Sequence, residues 1–192
     1  MLHSLLSSLP FFICFFWLIL LIIEYPKSNP AKRFLTFFLL TCTILYFSHM
    51  VYFFQNIYLY SIIESVYTFC SLAVYPLYYL YICKLTSEKP FRLKDYWILL
   101  PAIIISLISV FFYSLMGENE RLKFVDSFFY SNNTDFQLSF AVIGQIYRIK
   151  ITKFVFVVQL FPVLYFGLQK LSKFNKEINN YYSNTEKKTL HQ

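Results

Sequence analysis

The chain has 192 residues, of which 58% are hydrophobic and only 14% charged, with a formal net charge of +7. A soluble domain carries roughly 45–50% apolar and 25% charged residues, and a water-soluble fold of this size could not hide so much apolar surface. The positive charges lie between apolar runs, so they read as topology signals and headgroup contacts and exclude a nucleic-acid footprint.

The predicted fold is all-α, an integral membrane bundle of five transmembrane helices. The first apolar run covers residues 5–23, close to the ~20 residues that cross a hydrocarbon core. Met1 to Leu9 contains no Lys or Arg and no small-residue cleavage site follows, so a retained span is expected in preference to a signal peptide. A linker with Lys27, Lys32 and Arg33 leads to a second span, 34–54, with Pro30 placed to open its helix. Gln55 and Asn56 make a very short turn into a third span, 57–85. That span is long enough to tilt, and Pro76 within it is a candidate kink.

The loop that follows carries Lys84, Lys89, Arg92 and Lys94 against Glu88 and Asp95. The fourth span, 96–116, starts with Tyr96 and Trp97 as interfacial anchors and has Pro101 in its early turns. Residues 117–145 form the longest polar segment and are predicted as an outer loop with its tip at 131–134. Asn132-Asn133-Thr134 matches a glycosylation sequon, a pattern that also arises by chance. Residues 136–143 are apolar again and fit an interfacial stretch. A fifth span, 151–171, contains Pro162 as a second candidate kink, and a polar tail, 172–192, closes the chain.

Charge sets the expected orientation. The first linker, the Lys84–Lys94 loop and the tail hold most of the 17 Lys and Arg. The opposite side has Arg121, Lys123, Arg148, Lys150 and Lys153, mixed with acids. The positive-inside rule then puts the N-terminus outside and the C-terminus in the cytoplasm. The expected location is the bacterial cytoplasmic (inner) membrane, crossed several times.

Two ionisable side chains fall within spans. His49 lies near the outer end of span two and Glu64 near the start of span three. The short turn makes these helices antiparallel neighbours, so both groups sit at similar depth and a His49–Glu64 pair is open to them. An intramembrane carboxylate is costly unless paired, which makes this pair the candidate sensing site; the plainer alternative is that Glu64 reaches the interface or a tyrosine hydroxyl. Tyr75, Tyr78 and Tyr79 share one helix face. They read either as a ligand-lining face or as interfacial and interhelical hydrogen-bonding groups. Cys14, Cys42, Cys70 and Cys83 lie in or at the end of apolar runs without metal or disulfide spacing and read as small buried hydrophobes. His3, His49 and His191 are scattered, and no HExxH, GxSxG or Walker pattern occurs. Neither catalysis nor a metal or other cofactor is expected.

Three stretches carry a family resemblance: Asn29-Pro30-Ala31-Lys32-Arg33-Phe34, Pro76-Leu77-Tyr78-Tyr79-Leu80-Tyr81, and the basic loop through Phe91-Arg92-Leu93-Lys94-Asp95-Tyr96-Trp97 to Pro101. Together with the tail from Lys173 to Leu190, they resemble the membrane-embedded regulators of the AraC type that are frequent in Bacteroidetes. The resemblance implies that these residues are the sensor portion of such a regulator, truncated before two further spans and a helix-turn-helix domain. It implies no direct DNA binding by these residues. The expected partners are the lipid bilayer, an unidentified small-molecule or envelope signal, and a second copy of the chain in a homodimer. The rival expectation is a small transporter or an accessory subunit of a membrane complex, with a non-functional fragment as a further alternative.

Overall fold

A computed structural model describes residues 2–24, 30–86, 93–131 and 138–189. Lys89 and Arg92 of the basic loop, the sequon Asn132-Asn133-Thr134 and His191 lie outside the described residues. The described chain is helical, without strands. Its α-helices are α1 (Leu2–Ile23), α2 (Pro30–Phe53), α3 (Ile57–Leu85), α4 (Leu100–Leu115), α5 (Glu118–Val125) and α6 (Phe140–Thr189). A 3-10 segment, Leu93–Leu99, leads into α4, and a π-helical turn, Asp126–Ser131, follows α5. Among the described residues, α1, α2, α3, the stretch through α4, and α6 are long and apolar enough to cross a membrane.

The α2–α3 turn shows how local chemistry sets the packing. Gln55 takes a left-handed conformation, φ 55°. Its N–H bonds the Tyr52 carbonyl at 3.0 Å, and the Asn56 N–H bonds the Val51 carbonyl at 3.4 Å. These two bonds close the free carbonyls of α2 in a Schellman arrangement. The Asn56 side chain then accepts from the Leu59 N–H at 3.0 Å and caps α3. With only three residues between them, α2 and α3 fold back antiparallel: His49 meets Tyr67 at one end, and Phe38 meets Tyr78 at the other.

α3 is the hub. It packs against α2, α4, α5 and α6, whereas α1 packs chiefly on α2. The α3–α4 crossing brings Ala73 and Ala102 together, both fully buried; small residues let membrane helices approach closely. α4 opens with Pro101 in its first turn, where its missing N–H costs nothing. Along α6, the pairs Arg148–Glu64 and Gly167–Ile82 mark the two ends of a parallel contact with α3. That contact covers about 18 residues, or about 27 Å, close to the ~30 Å thickness of a hydrocarbon core.

Two segments depart from the sequence expectation. The predicted outer loop is helical through α5 and the π turn, because it carries a hidden apolar face. Phe124 and Val125 are fully buried in a cluster with Val51, Tyr60, Tyr113 and Val142, so this segment caps one end of the bundle. The last helix starts at Phe140, not near residue 151, and runs unbroken for 50 residues, about 75 Å. The tail from 172 therefore continues the helix as far as Thr189. The candidate kink residues lie inside continuous helices: α3 passes through Pro76, which is buried, and α6 through Pro162.

Candidate functional site

Glu64 stands seven residues into α3, Ser109 six residues before the end of α4, and Arg148 eight residues into α6. At 1.5 Å per residue each lies roughly 9–12 Å from its helix end, so three helices bring polar groups to one level. There the Arg148 Nη2 donates to Glu64 Oε1 at 2.8 Å, and both side chains are only 3% exposed. Thr68 lies one turn below Glu64 and shares its face. Its hydroxyl accepts from Arg148 Nη1 at 2.7 Å and donates to Glu64 Oε1 at 3.2 Å. Gln145, one turn before Arg148, accepts from the guanidinium Nε at 2.7 Å and donates to the Ser109 carbonyl at 2.9 Å.

The second carboxylate oxygen of Glu64 accepts from Ser109 Oγ at 3.1 Å. Since Ser109 spends its proton there, the 2.9 Å contact with Ser65 has Ser65 as donor. Every nitrogen of Arg148 and both oxygens of Glu64 are thus hydrogen-bonded. A buried ion pair costs several kcal/mol per ion in lost hydration, and a hydrogen bond at each of these charged atoms offsets part of that cost.

The structure brings His49 and Glu64 to one cleft but gives the Glu64 carboxylate to Arg148. His49 has its ring against Tyr67 at 5.3 Å and Tyr46 at 6.0 Å, and among the described residues it makes no ion pair. The geometry explains the exchange. Glu64 lies on the α4–α6 side of α3, whereas the face toward α2 belongs to Tyr67. A guanidinium also carries a permanent charge and a fork of donors that imidazole lacks. The tyrosine face divides: Tyr78 meets Phe38 of α2, Tyr75 meets Phe156 of α6, and Tyr79 lies under Lys170.

Beside the network is a cavity of about 550 Å³. It exists because α2 and α6 both pack along α3 but have little contact with one another, leaving a cleft floored by α3. His49 and Ser48 line it from α2, Glu64 and Thr68 from α3, and Arg148 and Thr152 from α6. An aromatic group closes its top. Tyr52 donates to the Phe129 carbonyl at 3.0 Å and stacks on Tyr130 with ring centres 5.0 Å apart. Burial, with Tyr52 and Asp126 nearby, pushes the Tyr130 hydroxyl up to about 12. A second cavity of about 460 Å³ continues the cleft toward the other end of the bundle, lined by Phe38, Leu45, Val74, Tyr78 and Leu164.

Reasoning from sequence missed Arg148 and Gln145 because hydropathy put both outside a span. The signal present was Gln145 and Arg148 at helical spacing among Ala141, Val142, Ile146 and Ile149. Among the described residues no cluster of three or more His, Cys, Asp or Glu could hold a metal ion. The arrangement offers a recess with fixed charges and hydroxyls, a form suited to binding.

The described residues therefore define an all-helical protein with five helices fit to cross a membrane and a buried charged network at one end. No known family model, curated protein or solved structure matches the chain.

Proposed function

We propose that this chain is the membrane-embedded sensor portion of a transcriptional regulator of the AraC type. Its N-terminus lies outside, its C-terminus in the cytoplasm, and its five spans cross the inner membrane. A small ligand from the envelope enters the cleft beside Glu64 and Arg148. The observation that carries this reading is α6: one helix holds Arg148 at the cleft and continues unbroken to Thr189. A change in the packing of Arg148 is carried as a rigid shift to the cytoplasmic end, from which the regulator's further spans and output domain would follow. The resemblance in the basic loop and tail supports the same assignment. A transporter would be favoured by discontinuous helices at the midplane; α3 and α6 are continuous among the described residues, and the charged pair sits near one end.

The test is thermal unfolding of the protein in lipid nanodiscs with a chloroform–methanol extract of bacterial envelopes. The reading expects a fraction that raises Tm by several degrees. Thr152→Trp, which fills the cleft, should abolish that rise. An equal rise in both proteins, or none with any fraction, would show that the cleft is not a receptor site.

A further inference from the structure

The two cavities adjoin, since His49, Tyr67, Ser71 and Phe156 line both. Their far ends differ in chemistry. The end beside the network has Arg148 and Lys153 with the hydroxyls of Ser48 and Thr152; the other has Phe38, Leu45, Val74 and Leu164. From Glu64 to Tyr78 the cleft follows α3 for about 21 Å, enough for a chain that spans one leaflet of ~15 Å.

The polar end carries a surplus of positive charge. Arg148 balances Glu64, and Lys153 makes no ion pair among the described residues. The Arg148 hydrogen bonds within the protein use one N–H on each nitrogen, which leaves one donor on each terminal nitrogen of the guanidinium. The polar end is the one nearer the α2–α3 turn, with Glu64 about 10 Å in from it, and the apolar end lies deeper, which is how an amphiphile of the adjacent leaflet is oriented. The gap between α2 and α6 also gives such a molecule a lateral way in.

We propose that the joined cavities bind a single-chain amphiphile with an anionic head, the head against Lys153 and the free Arg148 donors, and the acyl chain running between α2 and α6. This rests on the receptor reading of the cleft and names its ligand class. A free long-chain carboxylate and a lysophospholipid share this chemistry.

The test uses the full chain in phosphatidylcholine nanodiscs with hexadecanoate bearing a diazirine at its tail, and mass spectrometry to locate the adducts. Adducts are expected on Phe38, Leu45 or Leu164. Unlabelled hexadecanoate or lysophosphatidylglycerol should displace the probe, the better competitor identifying the source. Hexadecanol should compete about tenfold less well, the size of one charge-assisted contact. Lys153→Gln, an exposed position, should cut labelling several-fold without moving Tm, and Leu45→Trp should block the tail end. Equal competition by hexadecanol overturns the proposal, as does labelling spread over the outer faces of α1 and α4. If envelope extract stabilises the protein but hexadecanoate and lysophosphatidylglycerol do not bind, this ligand class falls and the receptor reading stands. If nothing stabilises it, both fall.

Discussion

Glu64 and Arg148 are 84 residues apart in the chain and 2.8 Å apart in the fold. The pair joins α3 to α6 and is completed by Thr68, Ser109 and Gln145. Removing one partner leaves a buried charge without compensation. Arg148→Met and Glu64→Leu are each expected to destabilise by about 3–5 kcal/mol, and the double variant by much less than their sum. Equilibrium unfolding in mixed micelles measures this. Additive costs would mean that the two groups do not interact.

A glycine makes room for Phe112 at the α4–α6 contact. A Cβ added at Gly144 would overlap the Phe112 ring, so Gly144→Ala must displace that ring or α6 one residue before Gln145. The expected cost is roughly 1–3 kcal/mol. Phe112→Leu in the same chain should recover most of it, because the smaller side chain frees the space. The comparison of Tm for the single and double variants checks this.

The five apolar runs were legible because hydropathy over ~20 residues depends on composition alone. The short turn at Gln55-Asn56 was legible as well, and with it the antiparallel packing of α2 against α3. The identity of Glu64's partner was not. It depends on which face of α3 looks toward α6, and a contact between residues so distant in sequence leaves no local pattern. The helical cap at 118–131 was hidden for another reason: Glu118, Glu120, Arg121 and Lys123 make the segment look solvated, although Phe124 and Val125 sit on a buried face.

Among the described residues, the buried Tyr130 hydroxyl has no hydrogen-bond partner. Tyr130→Phe should therefore be neutral or stabilising by up to about 1 kcal/mol. The hydroxyl's raised value, about 12 against an ordinary 10.0, gives a pH signature. Below pH 10 both folded and unfolded states hold the proton. Between pH 10 and 12 the unfolded state loses it first, so the wild type loses stability as pH rises. Tyr130→Phe should remove that part of the alkaline loss. An identical alkaline profile in the two proteins would count against a buried hydroxyl at this position.

The central claim is that a ligand in the α2–α6 cleft shifts α6 against α3. Gly167 lies on Ile82 at the opposite end of their contact, so Leu85→Cys and Gln169→Cys report that end when spin-labelled, with Cys14 and Cys83 replaced by Ser. The distance between the labels in nanodiscs is measured by double electron–electron resonance, with and without the envelope fraction that raises Tm. The account predicts a displaced or redistributed distance, a shift of about 1–2 Å or more, and no change in the Thr152→Trp protein. An unchanged distribution in the presence of a fraction that stabilises the wild type would contradict it.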